Sequence, residues 1–475
     1  LLLPVASAFA IVACAIAALL MCSVLGFPLS VMAAIALWAC LALLFLWKAE
    51  IVLPMFICGQ AVIHHLFSGF GGLARSRLTD SNLTISMLLV APLIALLSFQ
   101  SIRKRPEWIR VPLQYTLAII PLSVVVLVGL TYTIAPNYGS RKVVGLFVYG
   151  LSVSYAVLFF VNTENRFKLF LWVIVFLSAF QAVGLSLVTY IQSGGIFEGI
   201  GGIKATSKTL FEGFVIAGHQ DMGRRFMVGV LGAVGLAILS KSRISKIVLL
   251  LVCLLLSSWI IFSMARGPVL CTIATGLIFM VLLIVGNKGK AVWYVTIALV
   301  GLSLGLAVAE QDVVGRLIGK DKFARRSTQL HLDVYQKALV VFASSPVTGV
   351  GTGGFARKAF GVDQQIYPHN IELEILAEHG IIGFGAFMLF LILTVRRGLT
   401  AVMQAPQKSS RILAIWAFSW FAGNLMFAQF SGDLIRNDQL WISSAAIFCS
   451  AGFAELRRMN IAMESSGNSS EWVTV

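Results

Sequence analysis

Six histidines (His64, His65, His219, His331, His369 and His379) carry the only imidazoles of this 475-residue chain, and His369 stands apart by its setting. Pro368 precedes it, and Asn370 is a residue type that caps helices. Ile371, Leu373, Ile375 and Leu376 give the following helix a membrane-facing side. An imidazole at such a helix start, aimed outward where an alcohol could enter, suits a general base. Glu372, three residues on, is spaced to bond the ring and fix its tautomer, or to sit at the surface. His64, His65 and His331 are read as structural, and His379 as helix packing.

Arginines supply the second half of the chemistry. Arg224 and Arg225 immediately precede the apolar run FMVGVLGAVGLAIL, and Arg266 lies in FSMARGPVL between two such runs. An arginine at that depth is costly unless it is paired or functional. Guanidinium groups grip phosphate oxygens bidentately and stay charged at any accessible pH. A cluster of them at the membrane surface suits a diphosphate on a lipid anchor. Arg75, Arg77, Arg141 and Lys142 are read instead as snorkelling or solvated. Metal and cofactor are not expected: no outer loop has an Asp-x-Asp pair, and Glu372 and Glu374 point about 200° apart on a helix. The GVGTGG run at 349–354 lacks the Gly-Lys-Ser/Thr ending of a phosphate loop and reads as a turn beneath His369.

These residues must be positioned by a membrane scaffold. With 59% hydrophobic residues, 12% charged and a mean hydropathy of +0.92, the chain cannot be a set of soluble domains. The net charge of +16 does not indicate nucleic acid, because the basic residues sit in short clusters between apolar runs. All seven cysteines lie within apolar stretches, so neither a disulfide framework nor a CxxC metal site is available.

A spanning helix needs roughly 20 apolar residues. Fourteen candidates lie near 4–24, 29–47, 51–67, 85–99, 111–130, 143–161, 169–191, 226–239, 247–265, 268–285, 292–309, 381–395, 412–430 and 439–454, or twelve if two are re-entrant or merged. The expected fold is therefore all-α, a polytopic transmembrane bundle of about 12–14 spans. ASAFA at 6–10 loosely resembles a cleavage site, but the GFP turn at 26–28 favours a first span. With a cytoplasmic N-terminus, the inner loops hold 18 of the 36 lysines and arginines, as the positive-inside rule asks. The organisation expected is a bundle over 1–309 with an outer loop at 192–225, a partly helical outer catalytic loop at 310–380, C-terminal spans at 381–454, and an inner tail at 455–475.

His369-Asn370, nine residues, Gly380 and then Gly383 resemble the signature of the O-antigen ligase and polymerase family of bacterial envelope glycosyltransferases. Arg266-x3-Leu270 at the outer end of a span resembles the family's second motif, and SGDLIRNDQLW at 431–441 its C-terminal region. The first 200 residues match only as hydrophobic spans. The resemblance implies a multi-pass enzyme of the bacterial inner membrane with its site facing the periplasm. It also implies a glycan donor on undecaprenyl diphosphate, and lipid A–core or another glycan as acceptor. His369 would then be catalytic, with Arg266, Arg224, Arg225 and Asn370 binding substrate. Repeat-unit polymerisation is the nearest alternative, and transport of lipid-linked sugars, which needs broken helices and charges near mid-bilayer, the next.

Overall fold

Apolar segments long enough to cross lipid must pair every backbone amide internally, and a helix does this within one segment. The computed structural model describes residues 106–193, 219–262, 266–285, 322–435 and 437–465, and they are all helix and connecting turns, with no strand among the described residues. The expected spans at 4–24, 29–47, 51–67, 85–99 and 292–309, residues 194–218 and 310–321 of the two expected outer loops, and 466–475 of the tail lie outside the described residues.

Helix α1 covers Arg110–Thr131. Helix α2, Pro136–Gly145, opens on a proline whose missing N–H costs nothing at that position. It continues through a wider turn at Leu146–Leu151 into α3, Ser152–Phe160, so the span expected at 143–161 begins seven residues earlier. Then come α4 (Glu164–Ser193), α5 (His219–Leu239), α6 (Arg243–Phe262) and α7 (Arg266–Val285). Helix α8 (Lys322–Ser344) and the short α9 (Phe355–Phe360) form a cap. Helices α10 (Ile371–Gln404), α11 (Lys408–Phe427) and α12 (Asp438–Ser465) complete the described chain. Six described helices are long and apolar enough to cross a membrane, and the protein is an all-α polytopic bundle.

Its centre is aromatic. Trp416 and Trp420 of α11 are fully buried, with the α4 rings of Phe167 and Phe170 packed edge-on to Trp416 at 5.7 and 6.5 Å. Trp441 of α12 meets Phe390 of α10 at 5.4 Å. Such rings bury large areas and fix neighbours by their preferred geometry.

The bundle has two chemically different ends. At one, Glu164 of α4 binds Lys168 (2.8 Å), Arg457 of α12 (2.9 Å) and the Ser410 hydroxyl of α11. Arg397 of α10 pairs with Glu455 at 2.6 Å, and Lys408 donates to the Ile238 carbonyl. At the other end lie the C-terminus of α1, the starts of α2, α5, α7, α10 and α12, and the cap.

Helix α10 is broken where it meets the cap. Gly380 takes φ 61° and ψ −159°, a conformation essentially confined to glycine. The freed N–H groups of Ile381 and Ile382 donate to the Pro346 and Val347 carbonyls, at 2.9 and 3.4 Å. The freed Ala377 and Glu378 carbonyls accept from Val350 and Gly351, at 3.2 and 2.9 Å. The 345–351 turn is thus stitched into the gap and pairs these four freed backbone groups. Gly351 sits at φ 86° against the backbone of Thr133, where a Cβ would collide. Beyond the break, residues 381–404 run for about 36 Å, enough to cross the hydrocarbon alone.

Candidate active site

His369 ends the loop that follows α9, and every turn of that loop is tied down. The Asp363 carboxylate accepts from the Asn137 and Tyr138 amides at the start of α2, at 3.0 and 2.9 Å. Gln365 donates to Asp433 at 3.3 Å, and Pro368 is buried. His369 itself lies at φ 60°, the one non-glycine residue with positive φ among the described residues. Backbone held there is strained, and surrounding contacts must hold it. Asn370 then caps α10, its side-chain oxygen accepting from the Leu373 amide at 2.9 Å.

A single turn, Phe427–Phe430 at the end of α11, organises what surrounds this cap. The Asn370 amide donates to Gln429 Oε1 at 2.9 Å, and Gln429 Nε2 donates to Glu372 at 2.8 Å. The Ala428 carbonyl accepts from the Ile371 amide at 3.0 Å, and the Tyr335 hydroxyl of α8 donates to the Gln429 carbonyl at 3.1 Å. Glu372 therefore turns to Gln429 rather than to the imidazole, which removes it as the partner fixing the tautomer. The apolar side of α10 also differs from expectation. Ile371 and Ile375 are buried against the protein core, not exposed to lipid.

One of the arginines packs on the same turn. Arg224 is 3% exposed, bonds Asp438 at 3.0 Å and lies over the Phe427 ring at 5.0 Å. Arg225, its neighbour, is half-buried. Arg266 is the first residue of α7 and half-buried, and Gly267 beside it approaches the Phe430 side chain. One turn of α11 thus meets the histidine helix, Arg224 and the start of α7.

A second charged group lies beneath. Lys142 of α2 is fully buried and bonds both Glu374 and, at 2.6 Å, Glu378. Glu378 also accepts from the Gly353 amide at 2.8 Å, and Glu374 from the Leu434 amide at 3.3 Å. Tyr138, one turn before Lys142, donates to the buried Asp433. Lys142 does not snorkel, as its sequence setting suggested. It is the cation that makes two buried glutamates tolerable. His379 is buried next to Gly129 of α1 and Thr352.

A family model described as O-antigen ligase matches residues 249–388. Residues 249–388 are thus similar to the O-antigen ligase family. No curated protein matches the chain. The match runs from α6 through the α10 break, so Arg266, the cap, the Gly-rich turn, His369, Gly380 and Gly383 all fall inside the matched stretch. It supports glycan transfer of the O-antigen ligase or polymerase kind within a multi-pass membrane protein. Lys142, Gln429 and Asp433 lie outside the matched residues and reach them by bonds to Glu374 and Glu378, to Asn370 and to Gln365; Arg224 and Arg225 also lie outside the match.

Several of these residues escaped sequence reasoning. Glu374 and Glu378 are spaced i,i+4, which puts two like charges on one helix face, and their burial demands a cation from elsewhere. That spacing was a readable signal, but nothing in it named Lys142. His331 and Tyr335 are likewise i,i+4 on α8, on the face that turns toward α10. Gln429 had no signal at all.

Proposed function

We propose that the protein transfers a glycan from undecaprenyl diphosphate to an acceptor hydroxyl at the periplasmic face, without a metal, and that the acceptor is lipid A–core. His369 takes the proton from the hydroxyl as its oxygen attacks the anomeric carbon. The bond from that carbon to the diphosphate breaks, and its electron pair leaves with the lipid diphosphate. Arg266 and Arg225 stabilise the charge that grows there, while Asn370 holds the imidazole at the helix start. Arg224, already neutralised by Asp438, supports the pair and meets the donor only in exchange for that partner.

The observation that carries this reading is the common turn at Phe427–Phe430. It brings an imidazole and an arginine-bearing helix start to one end of the bundle, opposite the end where Glu164 gathers Lys168 and Arg457. Because basic residues mark the cytoplasmic side, the other end faces the periplasm. Transport is the weaker reading. The break at Gly380 lies at one end of a full-length span rather than midway, and it is filled by the cap turn.

The test is turnover of an undecaprenyl-diphosphate-linked glycan onto lipid A–core by purified protein in lipid discs. His369→Ala is expected to lose roughly 10²- to 10⁴-fold in rate. Arg266→Ala is expected to lose at least as much, because charge stabilisation at a leaving group is usually the larger effect. Activity should survive chelator. Full activity in His369→Ala removes the base, and cytoplasmic labelling of a cysteine at 369 removes the topology. A deletion strain separates acceptors: free long chains with bare core indicate ligation, single repeats on core indicate polymerisation.

A further inference from the structure

The rings beside His369 come from two different segments. Tyr367, two residues earlier in the same loop, has its centroid 4.5 Å from the imidazole at 57°. His331 of α8 stands edge-to-face with it, centroids 4.8 Å apart and planes at 75°. Both lie within the distance at which an aromatic ring attracts a cation. Helix α8 cannot drift away from this contact. Tyr335, one turn on, bonds the same Gln429 that holds Asn370, and Ala338 and Val341 pack into a small core with Val350, Phe355 and Ala377.

We propose that His331, together with Tyr367, is a positioning residue for the base: its ring holds the His369 imidazole in an edge-to-face contact and, with its π face toward the imidazole edge, stabilises the imidazolium formed when the acceptor gives up its proton. The inference rests on His369 being the base, as proposed above. His331 itself stays neutral. Its Nδ1 is buried without a hydrogen-bond partner, and burial pushes its pKa below the ordinary 6.5. A charged neighbour would oppose protonation of His369, whereas a neutral ring favours it. The other titratable groups that the structure places around this corner are Tyr335 on α8, Tyr367 in the loop and Glu372 on α10. Strain adds to the need for a clamp, since His369 at φ 60° keeps its conformation only while its contacts hold.

The experiment compares wild type, His369→Ala, His331→Ala and His331→Phe in the glycan-transfer assay, with kcat and KM measured across pH and melting temperatures recorded for each. His331→Ala should lose roughly 5- to 30-fold in kcat with KM unchanged. Its acid limb should move to lower pH, because the imidazolium has lost a stabilising face. His331→Phe keeps a ring and should recover most of the rate and the wild-type limb. The positioning role is overturned if His331→Ala matches wild type, or if His331→Phe is as impaired as His331→Ala at equal melting temperature. Full activity in His369→Ala would instead overturn the base assignment beneath it, a result distinct from both.

Discussion

Lys142 offers the sharpest energetic test of the structure. It is fully buried and is the cation shared by Glu374 and Glu378, which are themselves about 1% exposed. Replacing it with methionine keeps the volume but strands two carboxylates. Removing one partner of a buried ion pair costs about 3–5 kcal/mol, most of it the penalty of the charge left behind. The backbone donors Gly353 and Leu434 satisfy one oxygen of each glutamate and cannot replace the lost cation. Lys142→Met should therefore melt at least ~5 °C below wild type. The triple variant Lys142→Met/Glu374→Gln/Glu378→Gln removes all three charges and should regain most of that loss. A thiol-reactive fluorophore suits the measurement in detergent once Cys14, Cys22, Cys40 and Cys58 are replaced by serine, because Cys253, Cys271 and Cys449 are buried and become reactive on unfolding. If Lys142→Met melts like wild type, or the triple variant is no better than the single, uncompensated charge is not what holds this corner together.

Three further outcomes follow from named contacts. Arg224→Met and Asp438→Asn should be coupled by about 0.5–3 kcal/mol in a double-mutant cycle, and only the arginine change should raise KM for the lipid-linked donor. Gly380→Ala forces a Cβ into φ 61° and against the Val347 carbonyl; a penalty on the order of 1–3 kcal/mol should appear as a lower melting temperature. His331, whose folded pKa lies below the 6.5 of the open chain, binds its proton more readily when unfolded. Its contribution is thus complete above pH 6.5 and is lost as pH falls through the folded value. Melting temperature should decline on acidification below about 6.5, and His331→Phe should decline less.

Legibility from sequence followed the range of the interaction. Spans such as 111–130 and 268–285 depend on local apolar length, and the helices Arg110–Thr131 and Arg266–Val285 occupy them. The Asn370 cap depends on three residues and was equally local. Glu372 failed as a local inference because Gln429, 57 positions away, competes for its carboxylate. Lys142 reads as a loop lysine next to Arg141, and only the return of α10, more than 230 positions later, buries it. The glycines of the 349–354 run were read as a turn, which they form. That the turn fills a gap in a broken helix needed the backbone of α10 to be seen.

The joint at Gly380 bears on how this protein lives in membranes of differing thickness. A spanning rod adapts to a thicker or thinner bilayer chiefly by leaning, and a rigid 36 Å lever leaning ten degrees sweeps its tip by about 6 Å. Here the rod 381–404 ends at a glycine whose following amides belong to the cap turn, while the segment carrying Glu374 and Glu378 is fastened to α2 through Lys142. A joint of this kind lets the rod lean separately from the segment that leads back to the imidazole, which is held to α2 on its own.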